Sequence, residues 1–311
     1  MQRSFIMKHY TQYIADLMVK LNFPENAVKE FTRVEKRLDD DPEFGREFDI
    51  AYNSYMNPTA CNLNMALAAI TRLAEKYGEN VLTMEFVFVM NCTEEVLNRY
   101  RKLGIDEEIF WESVDDLRCK LIECIDCEEV CGTFVAGWND GFLRMTRFAL
   151  GRFQFEKSCF THEGGFVTKS GLKIEQDSMI INFHIPSSGV PLTDEVRLDA
   201  YKKAYEFFKD GFDGPVIFCC SSWLLFPKHR EFLPENSNIL RFMDDFELVE
   251  WSEEDDFHNG WRVFGKDSDL PVEQLPEKTS LQKAYKKWLV DGNKAGHGYG
   301  IIVFDGEKIV R

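Results

Sequence analysis

Apolar residues recur at three- and four-residue intervals from His9 to about Phe134, which is the spacing of amphipathic helices. Successive stripes are interrupted at Pro24, Pro42 and Pro58, because proline ends or begins a helix. The same spacing continues beyond Pro58 with hardly any of the apolar–polar alternation of strands. The pattern therefore predicts an all-α bundle for the first part of the chain.

The pattern changes near Trp138-Asn139-Asp140-Gly141, after which strand-like and helix-like stretches alternate. Short apolar or alternating runs predict strands at Phe153–Glu156, Leu172–Ile174, Phe246–Trp251, Trp261–Phe264 and Gly300–Phe304. Helical spacing predicts helices at Asn238–Met243 and, capped by Thr279, through Leu289. We place the boundary at about residue 140, which gives domains 1–140 and 141–311.

One stretch of the second part, from Met179 to Trp223, combines a strand, a loop, a helix and a second strand. The run Met179–Ile185 is β-branched and aromatic, and the turn residues Pro186-Ser187-Ser188-Gly189 end it. Thr193 is a natural N-cap for the helix, and Pro215–Cys220 is again apolar. The order predicts a β-loop-α-β unit with parallel strands, whose ligand would lie at their carboxyl ends.

The chain is acidic, since its 311 residues carry a formal net charge of −16 and give a pI of about 4.9. Nucleic acid and anionic membranes repel such a surface, so we expect neither as the main partner. No apolar stretch reaches the roughly eighteen residues of a membrane span, and the start, Met1–Leu17, has the pattern of an amphipathic helix rather than a signal peptide. The nine cysteines do not have the spacing of a disulfide framework. Together with the start of the chain, this spacing predicts a cytoplasmic protein with reduced thiols.

The cysteine spacing between Cys119 and Cys131 imitates iron–sulfur ligation. Such ligands come from an irregular loop around the cluster, whereas this run has helical periodicity. Cys124, Cys127 and Cys131 would then lie on one side of a helix. We interpret them as small buried thiols.

Two further patterns imitate ligand sites. The acidic run Glu253-Glu254-Asp255-Asp256 is interpreted as a solvated loop rather than a metal site. The run Gly296-His297-Gly298-Tyr299-Gly300 lacks the lysine of a phosphate-binding loop and leads into a strand, so it is interpreted as a flexible turn. We therefore expect no metal.

The second part contains, in this order, HIPSSGVPLTDE, CSSWLLFP, LPENSNILRF and LPEKTSLQKAYKKWLVDG. These blocks together resemble a family of two-domain bacterial acyltransferases. The resemblance implies an α+β protein, with an all-α helical N-terminal domain followed by a GNAT-like (N-acetyltransferase-like) α/β domain with a mixed central sheet. It also implies transfer of an acyl group, acetyl as the first expectation, by direct attack of an amine. The donor would be acetyl-CoA or another acyl-CoA, and the acceptor a small molecule or a peptide.

The resemblance also implies where coenzyme A (CoA) binds. The strand Met179–Ile185 would pair with the pantetheine arm, the loop Pro186–Val190 would cradle the pyrophosphate, and the strand Pro215–Cys220 would diverge to admit the thioester. Backbone amides near a helix N-terminus are suited to hold phosphate. The implied cofactor-binding residues are Ile185, Ser187, Ser188, Gly189 and Ser221.

Candidate catalytic residues follow from strand alternation, which puts Asn182 and His184 on one face of their strand. Arg152, Gln154 and Glu156 share a face in the same way. On adjacent strands, His184 or Glu156 would be a general base for the amine, since imidazole exchanges protons near neutral pH. The alternative is a buried histidine satisfied by a carboxylate or a carbonyl. Cys220, at a strand end, is either a nucleophile or an inert core thiol.

Two rival functions remain open on the sequence. The loop lacks the usual Gln/Arg-x-x-Gly-x-Gly/Ala signature, and Asp194 and Glu195 occupy the first helical turn, where they would repel phosphate. These features favour a non-catalytic ligand-binding or regulatory protein on the same fold. The second rival is a hydrolase that uses Cys220 or Ser221.

Overall fold

The computed structural model describes residues 8–57 and 59–311, so the first residues of the predicted amphipathic start lie outside the described residues. The chain divides into a helical unit, Met1–Thr146, and a sheet unit, Arg147–Arg311. The division falls later than the expected position near residue 140, because a short helical stretch, Ala136–Leu143, belongs to the helical unit. The Tyr55 hydroxyl ties this stretch to the unit by donating to Asp140 at 2.9 Å.

The described part of the helical unit contains only helices and their connections, as the periodicity predicted. Its helices are α1 (Gln12–Lys20), α2 (Glu25–Asp40), α3 (Pro42–Met56), α4 (Leu63–Tyr77), α5 (Val81–Leu103), α6 (Glu107–Val114), α7 (Asp116–Glu128) and α8 (Asp140–Leu143). Side chains cap several of them; Asp41, for example, accepts from the first-turn amides of α3. In the residues that the structure describes, no helix is both long and apolar enough to cross a membrane.

The core of the helical unit forms around α5, whose residues from Phe86 to Cys92 are almost completely buried. Phe86 stacks on Phe31 of α2 with 4.7 Å between ring centroids. The same interface buries one carboxyl group, that of Glu35, which accepts a hydrogen bond from Asn91 at 2.7 Å. Burial raises the pKa of Glu35 well above its usual range.

The cysteine series departs from the predicted arrangement in one respect. Helix α7 ends at Glu128, so Cys131 lies beyond the helix rather than on one side of it with Cys124 and Cys127. Burial raises the pKa of the Cys124 thiol to about 12, which keeps this thiol protonated. Over residues 8–57 and 59–311, no group of three or more His, Cys, Asp or Glu side chains is arranged to hold a metal ion.

The sheet unit contains a mixed six-stranded sheet in the order β1-β2-β5-β6-β8-β7, and a separate two-stranded sheet, β3-β4. The strands are β1 (Arg147–Leu150), β2 (Phe153–Cys159), β3 (Phe166–Val167), β4 (Lys173–Ile174), β5 (Met179–His184), β6 (Val216–Ser222), β7 (Glu247–Glu253) and β8 (Gly296–Phe304). The helices are α9 (Asp194–Phe208), α10 (His229–Phe232), α11 (Asn238–Asp244), α12 (Trp261–Phe264) and α13 (Ser280–Val290). The pair β5–β6 is parallel, as expected of the β-loop-α-β unit.

The two faces of the six-stranded sheet are covered differently. On one face, Tyr201 of α9 lies against Phe153, Phe183 and Phe218, and Phe242 of α11 adds to the same aromatic layer. On the other face, the small sheet β3-β4 covers a cluster of buried residues, which comprises Phe160, Ile174, Ile180, Cys219 and Ile301. Along β2, for example, Phe153 and Phe155 face the aromatic layer and Gln154 and Glu156 face the other side, which explains the alternation in the sequence.

Two local predictions were wrong. Trp261–Phe264 is a helix, α12, rather than a strand. A four-residue run with three apolar residues fits both structures, and here Gln282 of α13 donates to the Val263 carbonyl at 3.0 Å and holds the turn. Gly296–Gly300 is not a flexible turn but the first half of β8. Its glycines leave room for the segment after β6, because a Cβ on Gly298 would overlap the carbonyl oxygen of Leu225.

Candidate functional site

The parallel strands β5 and β6 separate at their carboxyl ends. In the described residues, the two strands pair at Ile181–Phe218 and Asn182–Cys219 and no further. Beyond that point β5 remains paired with β2 as far as His184, and β6 remains paired with β8 as far as Ser222. The two strands therefore diverge beyond Asn182 and Cys219.

The loop after β5, Pro186–Val190, is braced from behind by Arg152. This guanidinium donates to the Pro186 carbonyl at 2.8 Å and to the Val190 carbonyl at 2.9 Å. The C=O and N–H of a trans peptide point in opposite directions, so the amide of Ser187 faces away from Arg152. Among the residues that the structure describes, none accepts a hydrogen bond from the amides of Ser187, Ser188 or Gly189.

Gly189 gives this loop its shape. Its φ of +80° lies in the left-handed region, which glycine enters without strain, and a Cβ there would meet open space. Successive amides around a left-handed residue form an anion-binding concavity. Helix α9 follows the loop, with Thr193 accepting from the Val196 amide at its start. The implied pyrophosphate loop therefore has suitable backbone geometry.

Glu156 lies at the centre of the polar groups near the strand opening. Glu156 and Asn182 are directly opposite each other on β2 and β5. The Glu156 Oε1 atom is 2.7 Å from the Nε2 atom of His184 and 3.4 Å from the amide nitrogen of Asn182. On the other side, Arg147 of β1 donates to Oε2 at 3.0 Å. The structure thus brings the predicted pair of His184 and Glu156 together and adds an arginine.

The charge of this cluster follows from its hydrogen bonds. Burial alone would favour the neutral acid, but the hydrogen bond with His184 and the positive charge of Arg147 outweigh burial and lower the pKa of Glu156 to about 2. Glu156 is therefore a carboxylate at neutral pH and too weak a base to accept a proton from an amine. In the tautomer that carries its proton on Nε2, His184 donates to Oε1 of Glu156, and Nδ1 has the lone pair.

A second chain of hydrogen bonds reaches the cluster across the sheet. The Sγ atom of Cys219 donates to the Oδ1 atom of Asn182 at 3.6 Å, and the Tyr299 hydroxyl donates to Cys219. Burial raises the pKa of the Cys219 thiol to about 12 and also raises the pKa of Tyr299, so both stay protonated as donors. The side chains of five neighbouring strands thus form one connected network.

The other predicted residues are placed apart from this network. Cys220 is buried on the opposite face of β6, near Tyr201, and burial raises the pKa of its thiol well above the usual range. Ser221 is exposed at the carboxyl end of β6, and Ile185 directly follows β5. The structure therefore places Cys220 away from His184 and Glu156, and a nucleophilic role for Cys220 or Ser221 stays a prediction.

The sequence prediction missed Arg147 and Tyr299, which join the network, and the role of Arg152. Alternation already put Arg152 on one face with Glu156, but its carbonyl partners come from a loop over thirty residues later. Arg147 had no local signal, because β1 is short and becomes recognisable only through its pairing with β2.

Comparisons with known proteins agree with this architecture. A profile of the N-acyltransferase N-terminal domain matches residues 12–145, and a profile of the GNAT-like C-terminal domain matches residues 148–302. The chain belongs to the two-domain acyltransferase family that these domains define. No curated protein matches the sequence.

Solved acyltransferase structures show the same fold. One in complex with CoA and 10C-teicoplanin has a TM-score of 0.70 at 20% identity, with 96% of this chain and 90% of that chain covered. Another, in complex with decanoyl-CoA and teicoplanin, has a TM-score of 0.69 at 21% identity, covering 94% and 87%. A variant in complex with octanoyl-CoA has a TM-score of 0.69 at 20% identity, covering 94% and 88%. Identities this low show the fold alone.

Proposed function

We propose that this acyltransferase-family protein transfers an acyl group from an acyl-CoA to an amine on a small molecule. The observation that carries the proposal is the divergence of β5 from β6 directly beside the His184–Glu156 pair. The opening receives the pantetheine arm along β5, and the amides of Ser187 to Gly189 bind the pyrophosphate. The thioester then lies near a base on the strand that borders the opening.

In the reaction, the amine nitrogen attacks the thioester carbonyl, forming the C–N bond. Nδ1 of His184 accepts the proton released by the attacking amine, and Glu156 stabilises the resulting imidazolium through Nε2–H. Collapse of the tetrahedral intermediate breaks the C–S bond and releases CoA as a thiolate, which takes up a proton from solvent or from the imidazolium. No covalent enzyme intermediate is required.

The sequence led us to expect acetyl as the acyl group. The octanoyl-CoA and decanoyl-CoA bound by the solved relatives favour a longer chain for this protein, and their teicoplanin complexes favour a small-molecule acceptor. We therefore expect octanoyl-CoA to be a better donor than acetyl-CoA. The acceptor is to be found by screening a set of amines. In each assay, a chromogenic disulfide reagent measures the free thiol of the CoA that the reaction releases.

Calorimetric titration with CoA, acetyl-CoA and octanoyl-CoA tests the cofactor site. Gly189→Glu places a negative charge in the loop and should abolish binding. Gly189→Ala is the matched control, because it carries the same left-handed strain without the charge. The proposed loop site is wrong if both variants bind like the wild type, and the whole proposal is wrong if the wild type does not bind at millimolar ligand.

Measuring the release of CoA thiol distinguishes an acyltransferase from a non-catalytic ligand-binding protein. Asp194 and Glu195 are exposed in the first turn of α9, which favours weak cofactor binding and hence the non-catalytic alternative. Binding of an acyl-CoA without thiol release, across a broad set of amines, supports that alternative. Amine-dependent thiol release that disappears in His184→Gln supports acyl transfer.

A further inference from the structure

The proposed pyrophosphate site lacks a cation of its own. The loop Pro186–Val190 contains no lysine or arginine, and Asp194 and Glu195 follow it within one helical turn. The whole chain carries a net charge of −16, so its surface repels a ligand with several phosphate charges. Backbone amides alone must offset this repulsion unless positive charge reaches the loop from elsewhere in the fold.

The fold supplies such charge through two arginines from other elements. Arg152 lies behind the loop and donates to its carbonyl oxygens, as described above. Arg262 comes from α12, and its Nη1 atom is 3.4 Å from the Ser187 hydroxyl. The Arg262 guanidinium lies over the Trp261 ring, 4.2 Å from the ring centroid, and Arg262 is an exposed residue. This arginine thus lies beside Ser187, whose amide faces away from Arg152.

We propose that Arg262 binds the pyrophosphate of CoA together with the amides of Ser187 to Gly189. This inference rests on the proposed function of the loop. A guanidinium matches phosphate geometry through paired N–H donors, and stacking on Trp261 limits the motion that binding would otherwise freeze. Arg262 thus takes the place of the basic residue that the missing family signature would provide.

Arg152 has a different part in this site. Its donors are directed to the carbonyls of Pro186 and Val190, so it positions the loop rather than contacting phosphate. Replacing Arg152 should weaken binding of every CoA derivative and also lower the melting temperature, because two carbonyls lose their donor. Replacing Arg262 should weaken binding because a donor to the phosphate is lost.

The test is calorimetric titration of the full chain with CoA and with dephospho-CoA, which keeps the pyrophosphate but lacks the 3′-phosphate. We expect Arg262→Gln to raise the dissociation constant of both ligands by about tenfold or more, as for a lost charge-assisted hydrogen bond. Arg262→Lys should give a smaller loss. Arg230→Gln is the control, because it removes another exposed arginine, paired with Asp244 at 2.7 Å, on a different helix.

The outcomes separate this inference from the function on which it rests. The pyrophosphate contact is supported if Arg262→Gln binds both CoA and dephospho-CoA more weakly and Arg230→Gln binds them like the wild type. A loss seen with CoA but not with dephospho-CoA overturns it, since the contact would then be to the 3′-phosphate. Unchanged binding in Arg262→Gln overturns this inference alone, whereas absence of CoA binding by the wild type overturns both proposals.

Discussion

Asn182 and Cys219 form the last pair of the parallel ladder between β5 and β6, and their side chains touch at the same place, with Cys219 Sγ donating to Asn182 Oδ1 at 3.6 Å. This bond orients the side-chain amide of Asn182, whose nitrogen lies 3.1 Å from Nε2 of His184 and 3.4 Å from Oε1 of Glu156. The point at which the two strands separate is therefore connected directly to the proposed catalytic pair. Changes at Cys219 should be felt at Glu156 although the two residues lie two strands apart.

We expect Cys219→Ala to lower kcat about five- to tenfold with little change in KM, because one hydrogen bond that orients the network is lost. Cys219→Ser keeps a donor at this position and is the matched control. Steady-state kinetics with an amine found in the acceptor screen would check this. Equal activities for the two variants would show that the Cys219 donor has no influence on Glu156.

His184→Gln should lower kcat by a factor on the order of 10² to 10⁴, because glutamine is no general base at neutral pH. The glutamine amide can still donate to Glu156, so we expect the free energy of unfolding to change by less than about 1 kcal/mol. Kinetics and urea unfolding of the same preparation check both points. A large loss of stability together with the loss of activity would instead favour the structural histidine that the sequence left open.

The stability of the sheet unit should fall at acid pH through Glu156. The folded-state pKa of Glu156, about 2, lies below that of an unfolded glutamate, near 4.3, so its contribution is complete above the unfolded value and is lost as pH falls towards 2. The contribution is at most roughly 3 kcal/mol. Urea unfolding from pH 3 to pH 7 should show a Glu156→Gln deficit that shrinks with acidity. A deficit independent of pH would contradict this.

Glu35 should have the opposite pH dependence. Burial raises its folded-state pKa, so its stabilising contribution is complete below the unfolded value near 4.3 and is lost as pH rises towards the folded-state pKa. Glu35→Gln keeps an acceptor for Asn91 and carries no charge, so its unfolding free energy should increase relative to the wild type as pH rises. Glu25→Gln, at an exposed position of the same helix, is the control and should show no such trend.

Gly298→Ala should lower the free energy of unfolding by about 2 kcal/mol or more, because its Cβ would overlap the Leu225 carbonyl and the Leu248 side chain. Gly211→Ala is the control, since its Cβ would meet only the flexible end of Met179. Chemical denaturation compares the two. Similar stabilities would mean that the segment after β6 moves away from β8 without cost.

The sequence predicts well those elements whose deciding residues are close together in the chain. The β5–α9–β6 unit was predicted because its strands, the Thr193 cap and the helix stripe are consecutive in the chain. The strand predicted at Trp261–Phe264 was wrong because so short a run, with three apolar residues, fits a strand and a helix equally. The hydrogen bond from Gln282 that favours the helix comes from another element. Secondary structure of short runs is thus decided by tertiary contacts.

The candidate site shows the same limit. Alternation predicted that His184 and Glu156 share a face, but the register that puts Glu156 opposite Asn182 belongs to the folded sheet. The glycines at Gly296–Gly300 suggested a turn, because sequence alone does not show that the Leu225 segment packs over them. Arg262 reaches Ser187 across 75 positions of the chain, and no local pattern marks such a contact.

The position of β8 in the sheet has a consequence for the order in which the protein is made. β8 follows every other strand in the chain but lies between β6 and β7. While the ribosome is still translating the segments before residue 296, the backbone donors and acceptors at the edge of β6 that later pairs with β8 have no strand partner. We therefore expect the sheet unit to remain incomplete during synthesis and to depend on chaperones at this stage, whereas the helical unit, finished by residue 146, can fold as it emerges.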